Sequence, residues 1–164
     1  MRTKLEVFEE IENRITNEDL KFTSKDDKRP WGGFFVIDES QAQNFSNLYF
    51  EGMSVDTLRI SGKLSPKILI VGPGKRLSWQ YHHRRAEIWR VIEGNVGIIR
   101  SENDQEGKLE EFKPGDFITL QKRERHRLIG LQDWGIVAEI WQHTNPDNPS
   151  DEDDIVRVQD DFGR

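Results

Sequence analysis

Apolar residues near the start of the chain, Leu5, Phe8, Ile11 and Ile15, recur every three or four positions within a Glu-rich stretch. That spacing predicts an amphipathic helix over residues 3–16, packed by one stripe on something larger. From Phe34 onward the pattern changes to short apolar runs broken by Gly, Pro, Asn and Asp, the pattern of an all-β domain. Strands are expected at 34–38, 57–60, 67–71, 77–82, 87–93, 96–100, 109–112, 117–120, 126–130, 136–142 and 155–158, a density that predicts a sandwich or closed barrel. Gly72-Pro73-Gly74, Glu93-Gly94-Asn95 and Lys113-Pro114-Gly115-Asp116 supply the reversals. Residues 39–56 are longer and more polar than a hairpin needs and read as a surface insertion. Thr144 to Asp154, rich in Pro and Asp, reads as a solvated loop. The organisation expected is a helix and linker over 1–28, then one β-domain over 29–164.

Composition narrows the field. A chain of 164 residues can close one core. The absence of cysteine excludes disulfides, thiolate metal sites and cysteine nucleophiles, and points to a reducing, cytoplasmic setting. The first fifteen residues hold no unbroken apolar run, so neither a signal peptide nor a membrane partner is expected. A net charge of −6 argues against nucleic acid, whose binding needs an excess of Lys and Arg. A small anion in a local basic pocket remains compatible.

The candidate chemistry lies in one hairpin and one later strand. Gln80 and His82 are two apart on an expected strand, so their side chains leave the same face, while His83 points the other way. After a turn, Glu87 opens the next strand and can lie beside His82 across the hairpin. His126 begins a further strand and can add a fourth donor. A lone strand histidine usually faces solvent. Four such groups aimed into a barrel are harder to explain that way, because an unpaired buried polar group costs a few kcal/mol. Imidazole, carboxylate and amide donors suit Zn, Mn, Fe or Ni and leave room for water or substrate.

The segment Pro73 to Gly94 resembles the first cupin motif: Gly74, five residues, Gln80, one residue, His82, four residues, Glu87, six residues, Gly94. Gln80 stands where that motif usually has a first His. It resembles in this the phosphomannose isomerases, whose zinc is held by Gln, His, Glu and His. The chain is most similar to the cupin domain of type II phosphomannose isomerases, often fused to a mannose-1-phosphate guanylyltransferase. Arg29-Pro30-Trp31-Gly32-Gly33, Lys67 to Gly74, Asp153-Asp154-Ile155-Val156-Arg157 and Phe162-Gly163-Arg164 carry the similarity. Two positions depart from it: Gln121-Lys122-Arg123-Glu124-Arg125 replaces the usual Pro and Gly before His126, and Gly130 stands where Asn is common. The length leaves no room for a nucleotidyltransferase domain.

The resemblance implies a cupin jelly roll with an N-terminal helix, one divalent ion held by Gln80, His82, Glu87 and His126, and a homodimer. Zinc is the first expectation for the ion, with Mn, Fe, Ni or Co as alternatives. The implied reaction is aldose–ketose isomerisation of a phosphorylated sugar, mannose 6-phosphate and fructose 6-phosphate being the leading pair. Lys67, Arg76, Arg85 and Arg157 are placed near the pocket mouth for a phosphate, with Lys67 and Arg85 foremost. Arg84 and Arg90 read as surface. Glu139 and His83 are the candidate proton carriers, with Arg85 assisting at the reacting centre. The plainer reading of Glu139 is a carboxylate on a solvent face. Trp31, Trp79 and Trp89 read as core, with sugar stacking as the alternative. Two other functions stay open, a non-catalytic sugar-binding cupin and a metal-dependent oxygenase. Gln80 speaks against the oxygenase, because it removes an imidazole.

Overall fold

The run Lys67-Ile68-Leu69-Ile70-Val71 is apolar without alternation, and the structure gives the reason: both faces of this strand are covered. A computed structural model describes the chain from Met1 to Arg164 as two antiparallel sheets and three helices. The first sheet orders β1 (Phe22–Asp26), β2 (Gly32–Ile37), β3 (Lys67–Val71), β10 (Gly135–His143), β5 (Arg85–Glu93) and β8 (Phe117–Leu120). The second orders β11 (Val156–Gln159), β4 (Trp79–Tyr81), β9 (Arg125–Gly130), β6 (Val96–Ser101) and β7 (Glu110–Phe112). Leu69, Val71, Trp89, Val91, Ile98, Leu128 and Val137 fill the space between them. This is the cupin barrel expected from the sequence.

The opposite face of the first sheet carries a second core. There Phe35, Ile68, Ile70, Ile136 and Ile140 meet three helices: α1 (Lys4–Asn17), α2 (Ala42–Tyr49) and α3 (Val55–Leu58). Thr3 caps α1 by accepting from the Glu6 N–H while the Glu6 side chain accepts from the Thr3 N–H, so two end donors are satisfied together. The buried stripe of α1 is Val7, Phe8, Ile11 and Ile15. Leu5, included in the expected stripe, lies off it and is exposed.

Residues 39–56, read as a polar surface insertion, are helical and partly buried: a 3₁₀ turn over Glu39–Gln41 leads into α2, which buries Ala42, Phe45 and Tyr49. Their 3- and 4-residue spacing is the same helical signal that marks α1. The strand expected at 57–60 is instead the end of α3, capped by Ser54, followed by an exposed Ile60. β1 was not anticipated, since Phe22 is the one large apolar side chain in a polar strand.

Local devices hold the second sheet near the site. Gly130 is required by close approach, because a Cβ there would sit 1.9 Å from the Gly72 carbonyl oxygen. In the turn before His126, Arg123 takes the left-handed conformation that glycine favours (φ 68°), and its N–H donates to the His82 carbonyl at 2.9 Å. The unusual Gln121–Arg125 sequence thus still ties the two histidine-bearing segments together. No helix is long and apolar enough to cross a membrane.

Candidate metal centre

β4 and β9 are neighbours, and Gln80 pairs directly with His126. β5 belongs to the other sheet. Glu87 therefore reaches His82 across the barrel interior, not across a hairpin as the sequence suggested. Its Oε1 lies 2.9 Å from His82 Nε2 and 3.3 Å from His126 Nε2. All three side chains are buried.

The outer nitrogens fix the rings. His82 Nδ1 lies 2.7 Å from the Asp154 carbonyl oxygen, and His126 Nδ1 lies 3.0 Å from that of Glu124. A carbonyl only accepts, so each Nδ1 carries the proton and each Nε2 is left with a lone pair. Burial holds the His82 imidazole below its usual range, against the pull of the Glu87 carboxylate, and favours this neutral form. Glu87 Oε1 and His126 Nε2 have no hydrogen-bond partner. Two lone pairs and a carboxylate oxygen facing one point repel one another unless a cation stands between them. The ligand atoms lie within 4.8 Å of one another, so His82, Glu87 and His126 could hold a metal ion.

Gln80 lies beside the cluster. Its Oε1 accepts from the Ser78 hydroxyl at 2.5 Å, and its Nε2 lies 3.4 Å from His82 Nε2. Turning the amide over would aim Oε1 at the cluster while the new NH₂ position donates to Ser78, so a fourth oxygen donor is within reach.

A carboxyl pair completes the interior. Glu139 projects inward, not to solvent, and is gripped by two indoles: Trp141 Nε1 donates to Oε1 at 2.7 Å and Trp89 Nε1 to Oε2 at 2.8 Å. Trp89 also donates to Glu87 Oε2 at 3.2 Å, so this tryptophan is core and site wall at once. Burial opposes ionisation of Glu87, but the Arg85 guanidinium, a hydrogen bond with Glu139 and the two histidines outweigh it and hold the carboxyl well below its usual range. Burial and the Glu87 charge push Glu139 the other way, well above that range, with Lys67 and Arg85 opposing. The surroundings thus drive the proton affinities of two adjoining carboxyls apart, the arrangement that suits a pair to acid and base work.

Lys67, Arg29, Arg85, Arg157 and Arg164 surround a cavity of about 80 Å³ whose acidic wall is Glu87, Glu139 and Glu152. The excess of cations contrasts with the chain's net charge of −6. Arg85 and Lys67 are not at the mouth, as expected, but in the wall. Arg85 stacks 3.6 Å from Trp141, donates to Ser150 Oγ and the Asp151 carbonyl, and lies 3.3 Å from His82 Nε2. Arg157 is exposed at the cavity edge. Arg76 is elsewhere, paired with Asp161. His83 is exposed, edge-on to Tyr81 and outside the cavity lining, so it is not brought to the cluster. Arg84 and Arg90, read as surface, are half-buried; Arg90 lies 4.6 Å over the Phe117 ring.

The sequence reading missed Asp154. It is buried, accepts from the His83 and Arg84 N–H groups at 2.9 and 3.0 Å, and its backbone carbonyl orients His82. Its place in the Asp153–Arg157 segment was the available signal. Glu152 and Arg29 were also missed as cavity residues, and an exposed acid in a polar loop gives no such signal.

Fold and site together define a cupin barrel with a buried three-donor centre and a cation-walled cavity. Residues 42–160 match the family described as Mannose-6-phosphate isomerase C-terminal, and the chain belongs to that family. The alginate biosynthesis protein AlgA of Pseudomonas aeruginosa is 39% identical over 59 residues, covering 36% of this chain and 12% of that protein. The xanthan biosynthesis protein XanB of Xanthomonas campestris is 29% identical over 136 residues, 83% of this chain and 23% of that protein. The chain thus spans under a quarter of these relatives' length. Among solved structures, tomato vicilin aligns over 85% of this chain and 36% of its own (TM-score 0.55, 17% identity), which speaks for the fold alone. The capsular polysaccharide assembling protein CapF from Staphylococcus aureus aligns over 85% and 32% (TM-score 0.52, 14% identity) and likewise reports only the fold.

Proposed function

We propose that this cupin is a metal-dependent aldose–ketose isomerase of phosphorylated sugars, with mannose 6-phosphate and fructose 6-phosphate as the pair to test first. The observation that carries the proposal is the convergence of His82, Glu87 and His126 beside the indole-held carboxyl of Glu139, inside a cavity walled by excess positive charge. Membership of the isomerase C-terminal family supports it.

His82, Glu87 and His126, with Gln80 beside them, would hold one divalent ion, zinc first and Mn, Fe, Ni or Co as alternatives. Such an ion would polarise the C1 and C2 oxygens of a bound sugar and stabilise negative charge developing there. The reaction then needs a proton carried between C1 and C2. Glu139 would carry it: two indoles fix its orientation, and burial together with the Glu87 charge raises its proton affinity, so it can give up a proton as acid and take one back as base. The same two indoles shield the Glu139 carboxyl from bulk water. Lys67 and Arg157 bind the phosphate, and that remote binding energy aligns the reacting carbons. Arg85 works differently from the expected phosphate clamp, holding Glu87 ionised and the 150–151 backbone in place.

A coupled assay of mannose 6-phosphate conversion, with each metal added back after chelation, tests the reading. Turnover that depends on metal and falls at least tenfold in Glu139→Gln, with sugar phosphate affinity retained, is expected. Absence of isomerisation of any hexose, pentose or heptose phosphate by the metal-loaded protein would leave a sugar-binding cupin without catalysis.

A further inference from the structure

Lys67 is a buried ammonium with one anionic partner. Its Nζ sits 4.5 Å from the Phe34 ring centre and 4.3 Å from that of Trp141, and the Glu152 carboxylate is its salt-bridge partner. The two ends of this pair differ sharply in their access to water: the Lys67 side chain is 6% exposed and that of Glu152 56%. If the pair opens, the carboxylate returns to water at little cost, whereas the ammonium stays buried and needs another anion. Glu152 rides on the Thr144–Asp154 segment, which is anchored on both sides. Ser150 N donates to His143 Nδ1 at 3.0 Å, and Asp154 accepts from the Ser150 hydroxyl and from the His83 and Arg84 N–H groups. The tip, Asp151 to Asp153, is exposed. With Glu152 in place the cavity holds about 80 Å³, against roughly 300–1,000 Å³ for a pocket that takes a small molecule.

We propose that Glu152 is a specificity-determining residue: its carboxylate occupies the anion position at Lys67, and a ligand gains the pocket by bringing a dianionic phosphate that displaces it. The inference rests on the sugar-phosphate reading of the site and adds how that site refuses uncharged sugars. A neutral hydroxyl cannot replace the carboxylate without leaving Lys67 buried and unpaired. A phosphate dianion can, and it also meets Arg157, an exposed cation on the same cavity with no salt-bridge partner within 4 Å.

The test is equilibrium binding of inorganic phosphate, mannose 6-phosphate and mannose to the full chain, for the wild type, Glu152→Gln, Glu152→Ala and each combined with Lys67→Ala. Both single variants should bind phosphate and mannose 6-phosphate about tenfold more tightly and mannose at least as well as the wild type, since no ligand then has to displace the carboxylate, and Lys67→Ala should abolish the phosphate gain. Thermal melting checks that each variant is folded, and the two Glu152 substitutions guard against one local artefact. Unchanged or weaker phosphate binding in both folded Glu152 variants overturns the proposal. A gain in phosphate affinity with no isomerase turnover upholds the Glu152 role and discards the isomerase instead.

Discussion

His126 and Arg127 are consecutive residues of β9, both buried, and their side chains leave opposite faces of the second sheet. On the outer face each side-chain nitrogen of Arg127 has a partner: Nε donates to the Leu77 carbonyl at 2.9 Å, Nη1 to Glu106 at 2.6 Å, and Nη2 to the side chain of Gln159. On the inner face His126 Nε2 and Glu87 Oε1 face each other with nothing to donate between them. A buried polar group that is satisfied by its own chain holds the fold. One that is left unsatisfied beside another of its kind awaits a ligand.

Arg127→Ala should destabilise the protein by about 2–4 kcal/mol in urea unfolding, since it removes several charge-assisted hydrogen bonds and strands the Leu77 carbonyl. Metal binding by the folded remainder should be unchanged; a loss there would show that the two faces are one unit. Adding zinc at about 100 times its dissociation constant should stabilise the wild type by about 2.7 kcal/mol, reversed by chelator. The double variant His82→Ala/His126→Ala should show no such shift in melting temperature. His126→Ala alone should weaken metal affinity at least tenfold, about 1.4 kcal/mol, measured by competition with a chromophoric chelator. An affinity equal to wild type would remove His126 from the centre.

The smallest expected effect lies at the rim of the outer network. Bidentate hydrogen bonds from Arg76 hold the Asp161 carboxyl below its ordinary value of 3.8. Because the folded form resists protonation, its contribution is present in full above that ordinary value and is lost as pH falls through the lower folded value. Both side chains are about one-third exposed, so the pair is worth under about 1 kcal/mol. Asp161→Asn should therefore lower stability slightly at neutral pH, and less so in high salt. It should flatten the acid side of the stability curve, read by urea unfolding between pH 2 and pH 6.

Sequence reasoning reached the inner face better than the outer one. Gln80, His82, Glu87 and His126 stand at the spacing of a recognisable motif, and alternation put their side chains on inward faces. The route by which Glu87 meets His82 was not readable, because which sheet a strand joins depends on pairings distant in sequence: β5 pairs with β10 and β8, and β4 with β9 and β11. Glu139 was a candidate proton carrier with a solvent-facing carboxylate as the plainer reading, and nothing local records that two indoles from β5 and β10 will close over it. Helix α2 was hidden by its polar residues, though Ala42, Phe45 and Tyr49 carried the signal. Lys67 and Arg85 were expected at the mouth and lie in the wall, since a long cationic side chain can stretch to water or fold inward over an aromatic ring.

The helical layer on the first sheet has a practical corollary. Trimming the chain to its barrel domain would mean starting near residue 29. That cut strips Val7, Phe8, Ile11 and Ile15 from Phe35, Ile70 and Ile136 and leaves a broad greasy wall facing water. The shortened protein would recruit copies of itself to shield that wall, and its apparent dimer would be a product of the scissors. In the full chain the wall is already shielded from within, so any genuine pairing of subunits has to find another surface.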